Sequence, residues 1–213
     1  MSIFDPLNNY CERSGPGLWD EPLNAVSNLA FFIAAWALYK AYCSQSKKDG
    51  QAVILISLIT LVGIGSTLFH TFANKLTLIF DVLPIALFTF YYLWVALRRL
   101  LGLTKFKSAT ALVLFALVAS QMHHIPDGYR FNGSVDYFPC LGALLIITAV
   151  LYRRKHPSAP LLLKASLCFM LSLTFRSVDF MVCPAFPIGT HFLWHSLNGL
   201  MLYLLTKAII RVI

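Results

Sequence analysis

The sequence predicts an all-α integral membrane protein built as a bundle of seven transmembrane helices. Hydrophobic residues make up 58% of the 213 residues and charged residues only 12%, whereas a soluble domain devotes about 25% of its residues to charged side chains. The apolar residues form continuous stretches, where a β-barrel would alternate apolar and polar positions. These observations exclude a soluble globule, a disordered chain and a disulfide-rich miniprotein.

Seven apolar segments have, or nearly have, the length of about 20 residues that a helix needs to cross a bilayer core. They leave no room for a soluble domain, so we expect residues 1–213 to form one membrane domain with short connections and antiparallel neighbours. The segment 1–23, which has a net negative charge, does not fit a cleavable signal peptide and is expected to form an outer cap. The predicted spans are 24–43, 51–70, 79–97, 108–124, 137–152, 160–178 and 190–210.

The distribution of Lys and Arg predicts the orientation. Thirteen of the 17 basic residues fall in the first, third and fifth connections, the start of the sixth span and the C-terminal end. Because basic loops stay cytoplasmic, we expect the N-terminus outside or in a lumen and the C-terminus in the cytosol. The net charge of +8 then faces anionic membrane lipids, and no binding of nucleic acid is expected. The expected location is an inner or plasma membrane in a bacterium, or an ER- or Golgi-type membrane in a eukaryote.

Polar residues cluster near the outer ends of four predicted helices, where ionisable groups are costly and indicate function. His191 and His195 are four residues apart and share one helix face, and Ser66 and His70 have the same spacing on another helix. A single histidine near a helix end is usually an interfacial side chain. Three histidines at one depth, together with Ser66 and Asp81, favour a metal site. Three imidazole ligands with one open coordination position are typical of catalytic zinc.

This set of residues predicts hydrolytic chemistry. Zinc lowers the pKa of bound water to about 7, which makes a nucleophile available at neutral pH. Asp81 is expected to orient a histidine or to carry a proton to the leaving group, and Ser66 to hold an oxyanion or to hydrogen-bond the water. Arg176 and Asp179 are interpreted as a structural ion pair between helices, with a catalytic role as the alternative.

At these residues the chain resembles the alkaline ceramidase family, seven-span zinc hydrolases related to the adiponectin-receptor-like membrane proteins. The resemblance implies that His70, His191 and His195 hold zinc, and that Ser66 and Asp81 are the catalytic residues that serve its water, with Asp81 transferring the proton. The motifs that carry it are Tyr10-Cys11-Glu12 with Glu21-Pro22-Leu23-Asn24-Ala25-Val26-Ser27-Asn28, Gly65-Ser66 with Phe69-His70 and Asp81, Asp179 with Cys183, and His191 to His195 around Trp194.

The resemblance also implies the reaction, which is hydrolysis of the amide of ceramide-type N-acyl sphingolipids to a sphingoid base and a fatty acid. The lipid substrate would reach the site from the bilayer, and no obligatory protein partner is evident. A further implication is a disulfide between Cys11 and Cys183, which the oxidising outer side of the membrane permits.

Calcium binding by an acidic N-terminal loop is another implied family property. Glu12 and Glu21 match that loop, and Asn24 is a further candidate ligand. The chain departs from the family where Asn9 replaces an expected Asp and Ser14 an expected Asn. Because calcium prefers several hard, negatively charged oxygens, we expect a weakened site.

Two other functions remain open at this stage. A seven-span receptor or signalling protein would use zinc for structure or for weak hydrolysis, and a transporter would use the acids and histidines as a proton or cation relay. A transporter predicts polar groups near mid-membrane, whereas here they cluster toward one face. Signalling through loops usually needs longer cytosolic loops. The sequence therefore favours an amidohydrolase.

Overall fold

The structure is a computed structural model that describes residues 2–211. Within that range every regular element is helical, and there is no β-strand. Three short 3₁₀ turns lie between the fifth and sixth α-helices. The α-helices are α1 (Pro22–Ser27), α2 (Leu29–Cys43), α3 (Gly50–Phe72), α4 (Lys75–Arg99), α5 (Lys105–Gln121), α6 (Phe138–Arg153), α7 (Ala159–Val182) and α8 (His191–Ile210).

Helices α1 and α2 are nearly continuous and together cover the first predicted span. They separate at Asn28, whose side-chain amide donates hydrogen bonds to the backbone carbonyls of Asn24 and Ala25. An asparagine that bonds to the preceding turn competes with the regular helical pattern. Counted as one unit, α1 and α2 bring the number of long helical units in the described range to seven.

Six of these units are long and apolar enough to cross a membrane, one fewer than the sequence predicts. α8 has 20 residues, a sufficient length, but falls outside this group. Its polar residues His191, His195 and Asn198 lower its hydropathy. The six are Pro22–Cys43, Gly50–Phe72, Lys75–Arg99, Lys105–His124, Ser134–Arg153 and Ala159–Val182.

The turn between α3 and α4 is short and strongly capped. Ala73 adopts a left-handed conformation with φ of 39° and ends α3. Asn74 then starts α4 with a capping box, in which its side chain accepts the Thr77 backbone N–H at 2.9 Å and Thr77 Oγ1 accepts the Asn74 N–H at 3.2 Å. The tight turn brings the end of α3 and the start of α4, which carry His70 and Asp81, to the same end of the bundle.

Two helices begin or end one turn beyond their predicted limits. The capping box starts α4 at Lys75, four residues before the predicted position 79, and α7 continues to Val182 past the predicted position 178. Asp179 therefore lies inside a helix, and Asp81 lies beyond the first turn of α4. Hydropathy underestimates these ends because polar residues in a terminal turn still continue the backbone hydrogen bonds.

The centre of the bundle is α8, which packs against α2, α3, α4 and α7. α5 lies at the periphery, where Ser108 is its one buried residue in the described chain. The N-terminal segment, residues 2–21, crosses the end of the bundle where α3 ends and α8 begins. It is attached by the Cys11–Cys183 disulfide and by backbone hydrogen bonds from Leu7 to Ala73 and from Leu76 to Ile3.

Candidate metal centre

Three histidines meet beneath the N-terminal segment. His70 comes from the last turn of α3, and His191 and His195 come from the first turns of α8. All three are buried, and one ring nitrogen from each lies within 4.8 Å of the others. The sequence prediction grouped these three residues, and the fold brings them together as a set that could hold a metal ion.

The hydrogen bond of His70 fixes which of its nitrogens is free. Its Nδ1 lies 2.5 Å from Oε2 of Glu21. A carboxylate can only accept, so Nδ1 carries a proton, and in the neutral imidazole the lone pair is then on Nε2. Nε2 is buried without a hydrogen-bond partner within residues 2–211. A carboxylate behind a ligating histidine is the usual support for a metal ligand.

The ionisation of Glu21 follows from the same contacts. Burial alone would raise the pKa of Glu21, but the hydrogen bonds from His70, Arg13 and Asn24 hold this pKa below its ordinary value. Glu21 is therefore a carboxylate at neutral pH, and it can accept a hydrogen bond from the ring N–H of His70.

Ser27 fixes the tautomer of His195 by a similar argument. The Ser27 hydroxyl donates its single proton to the Asn24 carbonyl at 2.8 Å, and its oxygen lies 2.8 Å from His195 Nδ1. With that proton committed, the oxygen must accept from Nδ1–H. The Nε2 of His195 is therefore the nitrogen with the lone pair, and it lies 3.4 Å from Ser66 Oγ.

His191 is held by stacking and by its backbone. Its ring stacks on Tyr10 with centroids 3.6 Å apart. Its backbone N–H, together with that of Thr190, donates to Asp179 Oδ1, while the N–H of Cys11 donates to Asp179 Oδ2. Asp179 thus places negative charge at the N-terminus of α8, where the helix dipole stabilises it. The predicted ion pair between Asp179 and Arg176 is wrong, since none forms in the described chain.

Gly189 makes this arrangement possible. Its φ of +62° is favourable for glycine, and a Cβ at this position would lie 2.2 Å from Asp179 Oδ1 and 2.6 Å from Cys11 Cβ. The chain therefore turns tightly into α8 while Asp179 receives the N–H groups of that turn.

Ser66 and Asp81 lie beside the histidines because α3 and α4 are in direct backbone contact. A Cβ on Gly65 would lie 1.9 Å from the carbonyl oxygen of Phe80, so glycine is what allows the approach. Both side chains are buried, and Oδ1 of Asp81 has no hydrogen-bond partner in the part of the chain that the structure describes. Ser66 and Asp81 thus stand on adjacent helices, with Asp81 holding an uncommitted oxygen.

These groups face a cavity of about 340 Å³, within the usual range of ligand pockets. Ser66, Asp81, His191 and His195 line it, and other polar residues such as Asn132 and Asn198 line it as well. Apolar residues form much of the remaining wall and include Phe88, Phe169, Met201 and Leu202, which also line a second space of about 70 Å³ beside Leu205. The cavity thus joins the histidines to a wall that contains a large apolar area.

Arg176 is a further member of the cavity wall. Its guanidinium lies over the rings of Tyr10, Tyr137 and Trp194 at 5.1 to 5.6 Å and donates to the Tyr10 hydroxyl at 3.0 Å. Aromatic faces partly compensate a buried cation. Tyr10 and Ser27 lie in the family motif, but their contacts with the histidines cannot be predicted from one sequence.

The residues predicted to bind calcium lie in the N-terminal segment and α1. Both carboxylate oxygens of Glu12 accept backbone N–H groups, from Leu23 at 2.7 Å and from Asn24 at 2.8 Å. The pKa of Glu12 is raised, because the effect of burial outweighs the lowering by those two N–H groups. Glu21 is bonded to Arg13, Asn24 and His70. Calcium needs six to eight oxygens, so this set does not fit the ion.

A family profile described as Ceramidase matches residues 9–212. The chain belongs to the ceramidase family. Membership implies hydrolysis of the amide bond of ceramide, and therefore an amidohydrolase. With six helices apolar enough to span a bilayer, this ceramidase-family chain is a multi-pass membrane protein. No curated protein matches the chain significantly.

Proposed function

We propose that the protein hydrolyses the amide of ceramide-type N-acyl sphingolipids in a zinc-dependent reaction at His70, His191 and His195. The observation that carries the proposal is the convergence of three buried imidazoles, two of which have hydrogen-bonded Nδ1 atoms and so, as neutral rings, present the lone pair of Nε2 to a metal. Unpaired ring nitrogens in a buried site favour a cation, and imidazole donors favour zinc among the common ones.

Zinc, when bound, supplies Lewis acidity that polarises the scissile carbonyl and acidifies water near neutral pH. Hydrolysis adds water across the amide bond, so that the acyl carbon gains oxygen and the nitrogen gains a proton. We assign both proton movements to Asp81, whose buried Oδ1 has no other partner within residues 2–211. It accepts a proton from the attacking water and passes it to the leaving nitrogen.

Ser66 is placed to stabilise the charge that develops on the carbonyl oxygen. Its hydroxyl lies 3.4 Å from Nε2 of His195 and lines the same cavity as Asp81. A donor aimed at the developing oxyanion lowers the barrier most when the site is dry. The surrounding apolar walls exclude water and accommodate the acyl chain, which allows a lipid to bind from the bilayer.

We further propose seven membrane crossings, with α8 as the seventh, the N-terminus outside and the C-terminus in the cytosol. The basic residues favour this orientation. The site would then lie near the outer head groups, at the depth of a ceramide amide. Membrane lipids are the partners that this arrangement requires.

The test is metal analysis of the purified protein combined with fatty-acid release from a panel of N-acyl lipids. His191→Ala should lose zinc and lower hydrolysis by at least about 100-fold, because its nitrogen is part of the metal site. His124→Ala changes an exposed histidine and is the matched control. Full activity of His191→Ala, or purified active protein without zinc, would contradict the proposal.

A further inference from the structure

Arg13 lies in a cage of oxygen atoms within the N-terminal segment. Its Nε donates to Glu21 Oε1, Nη1 donates to the carbonyls of Gly15 at 3.0 Å and Gly17 at 3.3 Å, and Nη2 donates to the carbonyl of His70 at 3.0 Å. The side chain is 2% exposed. Every one of these acceptors is a carbonyl or a carboxylate oxygen, the ligand types that bind calcium in proteins.

We propose that the Arg13 guanidinium occupies the position of a cation in this cage, so that the chain organises its N-terminal segment and His70 without calcium. The proposal goes beyond the reaction itself, since it concerns which cation holds the site together. A guanidinium can serve here because its planar fork of N–H donors matches several oxygens at once and its charge persists at any physiological pH.

The loop around Arg13 is shaped to hold the guanidinium. Asp20 accepts the backbone N–H of Gly17 at 2.6 Å. A Cβ on either Gly15 or Gly17 would lie 3.0 Å from an Asp20 carboxylate oxygen. The loop therefore curls tightly enough for the carbonyls of Gly15 and Gly17 to face the same side chain.

The carboxylate oxygens that calcium would need are already committed to hydrogen bonds. Both oxygens of Glu12 accept N–H groups at the start of α1, and both oxygens of Glu21 accept N–H donors. Of the predicted ligand set, Asn24 Oδ1 is the one oxygen without a hydrogen-bond partner in the described chain. A divalent ion added here would also meet the positive charge of Arg13 across a buried, weakly screening medium.

Arg13 is connected to the candidate metal centre in two ways. It holds the Glu21 carboxylate, which accepts the ring N–H of His70, and it binds the backbone carbonyl of His70 directly. Arg13 is thus a positioning residue, because it touches neither substrate nor metal but fixes the orientation of a proposed ligand. Groups that orient a ligating histidine typically change metal affinity by 10- to 100-fold.

The first test measures calcium binding directly. Wild-type protein, freed of calcium with a selective chelator, is titrated with calcium chloride in a calorimeter, and its Tm is measured with and without calcium. We expect no binding heat and no change in Tm. A calcium-dependent rise in the wild-type Tm would overturn the proposal. Neither readout depends on hydrolysis, so this result stands apart from the proposed function.

The second test replaces Arg13. Arg13→Ala should lower the Tm and weaken zinc binding, measured by competition with a chromogenic chelator, by about 10-fold. Arg13→Lys keeps the charge without the fork and should recover part of the zinc affinity. Arg130→Ala removes an arginine from a partly exposed ion pair with Asp136 and is the matched control. If Arg13→Ala cannot be purified, Arg13→Lys is compared with wild type. Wild-type zinc affinity in the variant tested would refute the positioning role.

Discussion

At the scale of single residues, the candidate centre depends on where each imidazole keeps its proton. Glu21 and Ser27 each accept an Nδ1–H, from His70 and from His195 respectively. Both contacts direct the unprotonated Nε2 toward the cluster. Neither contact is readable from the sequence, because Glu21 and His70 are 49 positions apart and Ser27 and His195 are 168 apart.

Asp81 provides the first residue-scale prediction. Asp81→Asn keeps the size of the side chain and removes its ability to accept and return a proton. We expect zinc content to stay at the wild-type level and kcat for fatty-acid release to fall by about 10²- to 10⁴-fold. The control is Asp127→Asn, in an exposed position between α5 and α6. Wild-type kcat in Asp81→Asn would remove the proton-transfer role.

At the scale of elements, the close contact between α3 and α4 sets the geometry of Ser66 and Asp81. Gly65 lies where the Phe80 carbonyl of the neighbouring helix approaches. Gly65 belongs to the family motif for a steric reason, which concerns the packing of two helices and not the metal. Chemical interpretation of the motif therefore does not explain this glycine.

Gly65→Ala tests that contact. The new methyl would overlap backbone, so α4 must shift, and we expect destabilisation of about 1–3 kcal/mol. Hydrolysis should fall by about 100-fold at temperatures where the variant stays folded, because small displacements of catalytic groups are costly. Gly142→Ala is the matched control, since nothing lies within 4 Å of its added Cβ. Tm and kcat are measured for both variants. Values for Gly65→Ala equal to those of Gly142→Ala would exclude the steric role.

At the scale of the whole molecule, the N-terminal segment closes one end of the bundle. Tyr10 stacks on His191, Arg13 and Glu21 contact His70, and the Cys11–Cys183 disulfide fixes the segment to the connection before α8. This segment, predicted to be an outer cap, is therefore also one wall of the candidate metal centre.

Removing the disulfide tests how far the segment supports the centre. Cys11→Ser with Cys183→Ser should lower stability by about 2–4 kcal/mol, because the cross-link spans 172 residues. We also expect a weaker affinity for zinc, as Glu21 and Tyr10 become less constrained. Cys43→Ser, at an exposed free cysteine, is the control. Unchanged Tm and zinc affinity would show that hydrogen bonds alone hold the segment.

A structural feature can be predicted from the sequence when it depends on residues that are close together along the chain. Helices are local, so runs of apolar residues indicate α3 and α4 well, while the Asn74 capping box moves the start of α4 beyond the hydropathy signal. Helical spacing and predicted depth are enough to group the three histidines. The contacts of Arg13 are not predicted in this way, although a lone arginine among acidic residues is a signal for a buried ion pair.

The separation of the three histidines along the chain has a consequence for biosynthesis. His70 is made early, whereas His191 and His195 follow more than a hundred residues later. Until then, the nascent protein holds one of the three histidines of the candidate centre, and Cys183, the disulfide partner of Cys11, has not yet been made for most of that time. If zinc binds as proposed, its loading is a late event, and a ribosome-bound intermediate stalled before α8 should carry no tightly held zinc.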